Sequence, residues 1–220
     1  MNNMKTEIFI EVLDILKDRV PKNSPSNILK NSFHRTPYTI LMATLLSLRT
    51  KDEITASVCS NLFSIADNPF DILNISIDKL EDIIKPTGMY HKKAQTLKDV
   101  SKELIDRFDS KVPSTKEELL SLKGVGIKTA NIVLNNAFNI PTIAVDTHVH
   151  RVSNILGLVD TKNDKDTLKI LEQNIPKEYW SILNFSIVSF GQTICLPRNP
   201  KCNICPIYNY CPTYVVLNSN

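Results

Sequence analysis

Three groups of residues have types and spacings that could do chemistry. Lys128 stands two positions after a Gly124-Val125-Gly126 turn in "SLKGVGIKTANIVLN", residues 121–135, in a chain with only five glycines. An amine is a nucleophile only when unprotonated, and an ordinary lysine, with a pKa of about 10.4, is almost wholly ammonium at neutral pH. In the first turn of a helix, partly buried, a lysine is pushed towards the neutral amine by the positive helix end and by desolvation. Asp146, 18 positions further on in "AVDTHVHRV", reads as the N-cap of a following helix. A carboxylate held by helix N–H groups stays ionised; as a plain cap it contributes about 1 kcal/mol. The third group is "CLPRNPKCNICPIYNYC", which sets Cys195, Cys202, Cys205 and Cys211 in the pattern Cys-x6-Cys-x2-Cys-x5-Cys. Four thiolates in so short a span could hold Zn²⁺ or a four-iron cluster. A zinc ribbon usually takes two Cys-x2-Cys knuckles, and this span has one. An intracellular chain does not rely on disulfides, so the density of cysteines favours metal. Cys59, in an apolar helical setting, reads as a free core cysteine.

The elements that must position these groups read as helices almost from end to end. The N-terminal segment puts Ile8, Phe9, Val12, Leu13 and Leu16 on one face, and "YTILMATLLSL" after Pro37 repeats apolar residues at helical spacing. Thr50 with Glu53 forms a capping-box signature for a helix carrying Ile54, Val58 and Leu62, and Ser114 with Glu117 does the same for "STKEELLSL". Further helices are expected over 76–84, 91–108, 127–138, 147–156, 165–174 and 178–192. The breaks are short and fall at Pro86-Thr87-Gly88, Pro113, Gly157 and Pro176. No alternating strand and no repeat period is evident, so the fold class is all-α.

The glycines have a reason in this arrangement. A tight turn between two helices needs positive φ or very close backbone approach, and glycine supplies either with little strain. The second helix presents its first, unsatisfied N–H groups at the turn, and glycines leave them open to a phosphate. A Walker loop is excluded, since it needs four residues between its first glycine and the Gly-Lys pair and follows a strand.

Composition sets outer bounds. In 220 residues, 42% hydrophobic and 22% charged content is ordinary for a globular protein, and a net charge of +3 permits a nucleic-acid partner without demanding one. The acid-bearing N-terminal run is neither a signal peptide nor a membrane span, so a cytoplasmic, nucleoid-associated protein is expected.

"LKGVGIKTANIVLNNAF" followed by "PTIAVDTHVHRV" resembles the helix-hairpin-helix and catalytic segment of the endonuclease III family of DNA glycosylases, and the cysteine spacing matches that family's [4Fe–4S] cluster. The resemblance covers roughly residues 25–211. It implies two helical lobes with the DNA cleft between them. One is a six-helix barrel domain over 30–140, with the helix-hairpin-helix at about 114–138. The other, residues 1–29 plus 141–220, holds the cluster on Cys195, Cys202, Cys205 and Cys211. It further implies a bifunctional glycosylase and abasic-site lyase, acting as a monomer on duplex DNA with damaged bases or abasic sites. Lys128 would be the nucleophile that forms a Schiff base with deoxyribose, and Asp146 its carboxylate partner. Oxidised pyrimidines are the expected substrate.

A stacked nucleotide must be flipped out and its gap filled. Two loops resemble the family's wedges: "LLSLRTKD" with Arg49, and "GMYHKKAQ" with Met89, Tyr90 and His91, beside which Lys93 would touch phosphate. Lys123, Gly124, Val125 and Gly126 of the hairpin, His148, and Arg198 and Lys201 of the cluster loop complete the expected DNA contacts. Arg49 stands where the family often has glutamine, and Lys123 where it commonly has proline; the first change bears on opposite-base preference. The rival readings are a relative with another target (a pyrimidine dimer, 8-oxoguanine or a mismatched base), a non-catalytic DNA-binding iron–sulfur module, and an electron carrier.

Overall fold

The computed structural model of the chain describes residues 2–213, with side chains from residue 6 onward. The helices, in chain order, are α1 (Asn2–Arg19), α2 (Pro25–Asn31), α3 (Pro37–Ser47), α4 (Asp52–Phe63), α5 (Pro69–Asn74) and α6 (Ile77–Ile84). They continue with α7 (Tyr90–Phe108), α8 (Lys116–Leu120), α9 (Ile127–Phe138), α10 (Thr147–Ile155), α11 (Asp164–Asn174) and α12 (Trp180–Thr193). No strand occurs among the described residues, and the all-α expectation holds. The chain divides into two compact units: Pro25–Ile140, which carries the glycine hairpin, and Met1–Ser24 with Pro141–Asn220, which carries the four cysteines.

The hairpin unit is organised around α3. Residues Tyr38 to Leu46 are buried without interruption, so this largely apolar helix is covered on all sides by the rest of the unit. Its start is fixed by Pro37 at the first helical position and by a reciprocal cap: Thr36 Oγ1 accepts from Thr39 N at 3.1 Å, and Thr39 Oγ1 accepts from Thr36 N at 2.9 Å. Leu41, Met42 and Leu46 pack with Leu62 of α4, Leu80 and Ile84 of α6, Leu97 and Leu104 of α7, and Val133 of α9. Within this core the Tyr38 hydroxyl meets Ser101 Oγ at 2.7 Å, which satisfies a buried phenol. Cys59 is wholly buried there, and burial pushes its thiol up to about 12.

In the cysteine unit, Phe9, Val12, Leu13 and Leu16 of α1 join Val149 and Val152 of α10 and Leu183, Ile187 and Phe190 of α12 in a second core. Ile8 does not share the buried face: it is 40% exposed, one step of the helix away from its neighbours. Ser24 Oγ and Ser189 Oγ meet at 2.9 Å, pinning the end of the N-terminal segment to α12.

Two expected caps are displaced. The N-cap of α4 is Lys51 and has no side-chain bond. Thr50 uses its hydroxyl elsewhere, donating to Thr87 O at 2.7 Å. The N-cap of α8 is Thr115, one residue after Ser114: Glu118 N donates to Thr115 Oγ1 at 3.3 Å, and the hydroxyl donates to Glu118 Oε2 at 2.6 Å.

Leu46→Ala, at the centre of the first core, is expected to lower unfolding free energy by about 2–5 kcal/mol in urea titration. Ile28→Ala, at a position 46% exposed on α2, should stay within about 0.5 kcal/mol of the parent.

Candidate functional site

The α8–α9 hairpin turns through Gly124 at φ +78°, a left-handed conformation in which a side chain is strained, and a Cβ there would lie 2.8 Å from Thr96 Cγ2. Gly124 is therefore required on both counts. Gly126 has a different part to play: its φ is −98° and nothing lies within 4 Å of its would-be Cβ. It is the N-cap of α9 and supplies no side-chain oxygen. The first helical bond runs from Ala130 N to Gly126 O at 2.9 Å, so the amides of Ile127, Lys128 and Thr129 precede the helical ladder and face an open turn. Lys128 lies in this first turn and is exposed, where partial burial was expected.

Around the hairpin, Val125 is correctly placed in the turn but turned inward: its side chain is buried in the first core and its N–H donates to Leu122 O at 3.2 Å. An apolar side chain at this bend is worth more in the core than against a phosphate. Lys123 is exposed, with its ammonium 2.5 Å from Asp99 Oδ2 on α7. That hydrogen bond holds the Asp99 carboxyl below the usual carboxylate range and the Lys123 amine above its own.

The two expected wedge loops also lie in this unit. Arg49 is exposed at φ +56° between α3 and α4, and Met89 is 49% exposed at φ +48°, capping α7. Tyr90 is half-buried and stacks on His91 with ring centroids 4.2 Å apart. His91 Nδ1 lies 2.5 Å from Glu81 Oε2. Lys93 overturns its expected role. It is 8% exposed, and its Nζ donates to Leu46 O at 2.8 Å, Thr50 Oγ1 at 2.7 Å and Thr87 O at 3.0 Å. An ammonium with all three protons bound inside the unit has none to offer a phosphate. Burial lowers its pKa from 10.5 to about 8.

The cysteine unit places Asp146 as the N-cap of α10: its Oδ1 accepts from His148 N at 2.9 Å and Val149 N at 2.8 Å. Both bonds fall on one oxygen, and the other is spare for a proton or a developing cation. His148 packs beside Gly191, where a Cβ would come 2.9 Å from His148 Cβ. Arg151, which the sequence reading missed, donates through Nη2 to Gly191 O at 3.0 Å and Cys195 O at 2.7 Å. Its signal was its place on α10, three residues after His148 and thus on the same face.

Cys195, Cys202, Cys205 and Cys211 line one pocket with Phe190, Ile194 and Ile207, and none is in a disulfide. Among the described residues no three ligands close on a single metal ion. The four thiols stand around one pocket, and four thiolates are the ligand set of a four-iron cluster. Burial pushes the Cys195 thiol up to about 11, against the pull of Arg151, and crowding by the other three thiols adds to it. The loop between Cys195 and Cys202 exposes Arg198 and Lys201 and is closed by Lys201 N donating to Ile194 O at 2.9 Å.

This geometry agrees with what comparison with known proteins finds. Residues 42–177 match the family described as HhH-GPD superfamily base excision DNA repair protein, and residues 195–211 match the iron–sulfur binding domain of endonuclease III. The chain is 42% identical to endonuclease III of Thermotoga maritima, over 84% of this chain and 87% of that one. It superposes on a non-covalent endonuclease III–DNA complex with a TM-score of 0.84 at 32% identity, covering 98% of this chain and 99% of the other. A trapped covalent endonuclease III–DNA intermediate matches with a TM-score of 0.83 at 32% identity, covering 96% and 98%. The chain belongs to the HhH-GPD superfamily of base excision DNA repair proteins. Within it, the cysteine domain and the relatives place the chain in the endonuclease III family. The cofactor is a [4Fe–4S] cluster, and the four cysteines around the pocket are the residues that would hold it. When bound, it supplies iron–thiolate bonds that fasten the Arg198–Lys201 loop.

Two outcomes are expected. Cys205→Ala should purify without brown colour, with iron and labile sulfide lost and a lower unfolding temperature. For Lys93, the unfolded chain holds between pH 8 and 10.5 a proton that the folded chain has released, so folding stability rises across that window. Urea unfolding should therefore show wild type gaining on Lys93→Met, which has no such proton, as pH goes from 8 to 10; a flat difference would contradict it.

Proposed function

We propose that this chain, a bifunctional DNA glycosylase and abasic-site lyase of base excision repair, excises oxidised pyrimidines and cuts the strand 3′ to the abasic site through a Schiff base on Lys128. The observation that carries this reading is the exposed Lys128 amine in the first turn of α9, whose glycine N-cap leaves the helix end bare. The bare amides set partial positive charge beside this amine, which attacks in its neutral form. Its Nζ attacks C1′, the C1′–N bond breaks, and the base leaves with the electron pair and takes up a proton. Opening of the sugar gives the imine. Loss of a C2′ proton then expels the 3′ phosphate, and water releases Lys128 from the unsaturated aldehyde.

Asp146 supports the first step. Its carboxylate, oriented by two α10 amides, takes the nucleophile's proton or stabilises an oxocarbenium-like sugar. The turn at Gly124 and the open amides of Ile127, Lys128 and Thr129 behind Gly126 suit a phosphate, with Lys123, Arg198 and Lys201 as backbone cations. Arg49, Met89, Tyr90 and His91 fill or flank the gap left by the flipped nucleotide, and His148 borders the DNA. The protein acts as a monomer on duplex DNA carrying damaged bases or abasic sites, at the nucleoid in the cytoplasm.

Borohydride reduction on an abasic-site duplex tests the nucleophile. Wild type should yield a stable protein–DNA adduct and Lys128→Gln none; an adduct in both would move the Schiff base to another amine. Asp146→Asn keeps a good cap acceptor, so it should fold like wild type while base release slows by on the order of 10²–10⁴. Loss of stability without loss of rate would make Asp146 a cap alone. A panel of oxidised pyrimidine, 8-oxoguanine and pyrimidine-dimer duplexes decides the substrate.

A further inference from the structure

The inward-turned Lys93 has a position that its burial alone does not explain. Its three acceptors come from three different places: Leu46 O in the last turn of α3, Thr50 Oγ1 in the α3–α4 loop, and Thr87 O in the turn before α7. Thr50 closes the set by donating to the same Thr87 O at 2.7 Å. Arg49 immediately precedes Thr50, and Met89 follows Thr87 by two residues. Both Arg49 and Met89 hold left-handed φ values, +56° and +48°, with exposed side chains. Such backbone persists in residues of this size only where surrounding bonds over-determine it.

We propose that Lys93 is a positioning residue that fastens the Arg49 loop to the Met89 loop and fixes the two exposed side chains as one rigid pair, the unit that opens duplex DNA at a lesion. The inference rests on the reading above that these loops meet the DNA. Bonding supports the division of labour. A helix C-terminus leaves carbonyls without partners, and a cation there satisfies one and is favoured by the helix dipole. The same ammonium reaches Thr50 and Thr87, so neither loop can shift without breaking a charge-assisted bond in a site from which water is largely excluded. Rigid placement matters because a wedge displaced by an ångström wastes binding on an unopened duplex.

Two variants cut the clamp from opposite sides. Lys93→Met removes the ammonium and keeps an apolar stem of similar length; Thr50→Val removes the shared hydroxyl and leaves Lys93 in place. Hydrogen exchange on DNA-free protein reads the clamp directly. Amides 48–51 and 87–90 should exchange faster in both variants, with α9 and the rest of α7 unchanged. Single-turnover cleavage is then compared on an oxidised-pyrimidine duplex and on a single-stranded abasic oligonucleotide, which needs no opening. The duplex rate should fall by about tenfold or more relative to the single-strand rate. Equal losses on both substrates, or faster exchange spread over the whole unit, would reduce Lys93 to a structural lysine and overturn the proposal. So would unchanged exchange in both loops. A wild type that forms no borohydride adduct on either substrate would instead sink the lyase reading, while the exchange experiment would still decide whether the clamp exists.

Discussion

Every α-helix begins with N–H groups that its own carbonyls cannot reach, and the starts in this chain meet that demand in different ways. Thr36, Asn68, Ser76, Thr115 and Asn163 close their helices with side-chain oxygens, and those helices serve the cores. α9 begins at Gly126 with no side-chain bond, leaving its amides open beside Lys128. α10 begins at Asp146, whose Oδ1 answers the demand by accepting from His148 N and Val149 N. Lys128 and Asp146 thus stand at two answers to one constraint: a helix start left bare, and one closed by a carboxylate oxygen.

The two units also share a way of using cations withdrawn from water, Lys93 buried and Arg151 half-buried. Lys93 gives its protons to Leu46 O, Thr87 O and the Thr50 hydroxyl. Arg151 gives its Nη2 to Gly191 O, in the last turn of α12, and to Cys195 O just beyond it. Taking a charge out of water is costly unless it is paired or bonded. In both places the partners are carbonyls at or just past a helix C-terminus, where bonding capacity and negative potential are left over. Each cation therefore ties down the segment in which a helix ends: the Arg49 loop in one unit, the first cluster cysteine in the other.

What the sequence revealed divides along the range of the forces involved. Helical periodicity, the glycine turn, the Asp146 cap and the cysteine spacing are local patterns, and the structure has a helix, a turn or a cysteine-lined pocket at each. One cap slipped by a single residue, from Ser114 to Thr115, and the other because a competing partner lay far along the chain. Thr50 with Glu53 had the spacing of a capping box, yet Thr50 bonds to Thr87, 37 residues away, because that bond also serves a buried ammonium. Lys93 read as a surface cation for the same reason: its acceptors at Leu46 and Thr50 are 47 and 43 residues off, and no window on α7 reveals them. Ile8 and Val125 were misassigned by a single step of helix or turn, the scale on which face and burial change. The short helices α2 and α5, of seven and six residues, gave too few turns for periodicity, although Asn68-Pro69 was a legible start signal.

The distribution of left-handed backbone carries the last step. Gly88, Gly124 and Gly157 take positive φ, as do Asp109, Ser110 and Asn139 at or just past helix ends and Asn199 in the loop after Cys195, short side chains that bear it more readily than long ones. Arg49 and Met89 do not, since a long side chain in that region costs on the order of 1–3 kcal/mol. Glycine would relieve the strain at either place and would remove the side chain with it. A chain that uses glycine at three turns and withholds it at these two keeps what glycine lacks: an arginine and a methionine reaching into solvent from backbone held in place beneath them. The strained backbone at the surface and the ammonium in the interior lie side by side in the chain: Lys93 bonds Leu46 O and the Thr50 hydroxyl on either side of Arg49, and Thr87 O two residues before Met89.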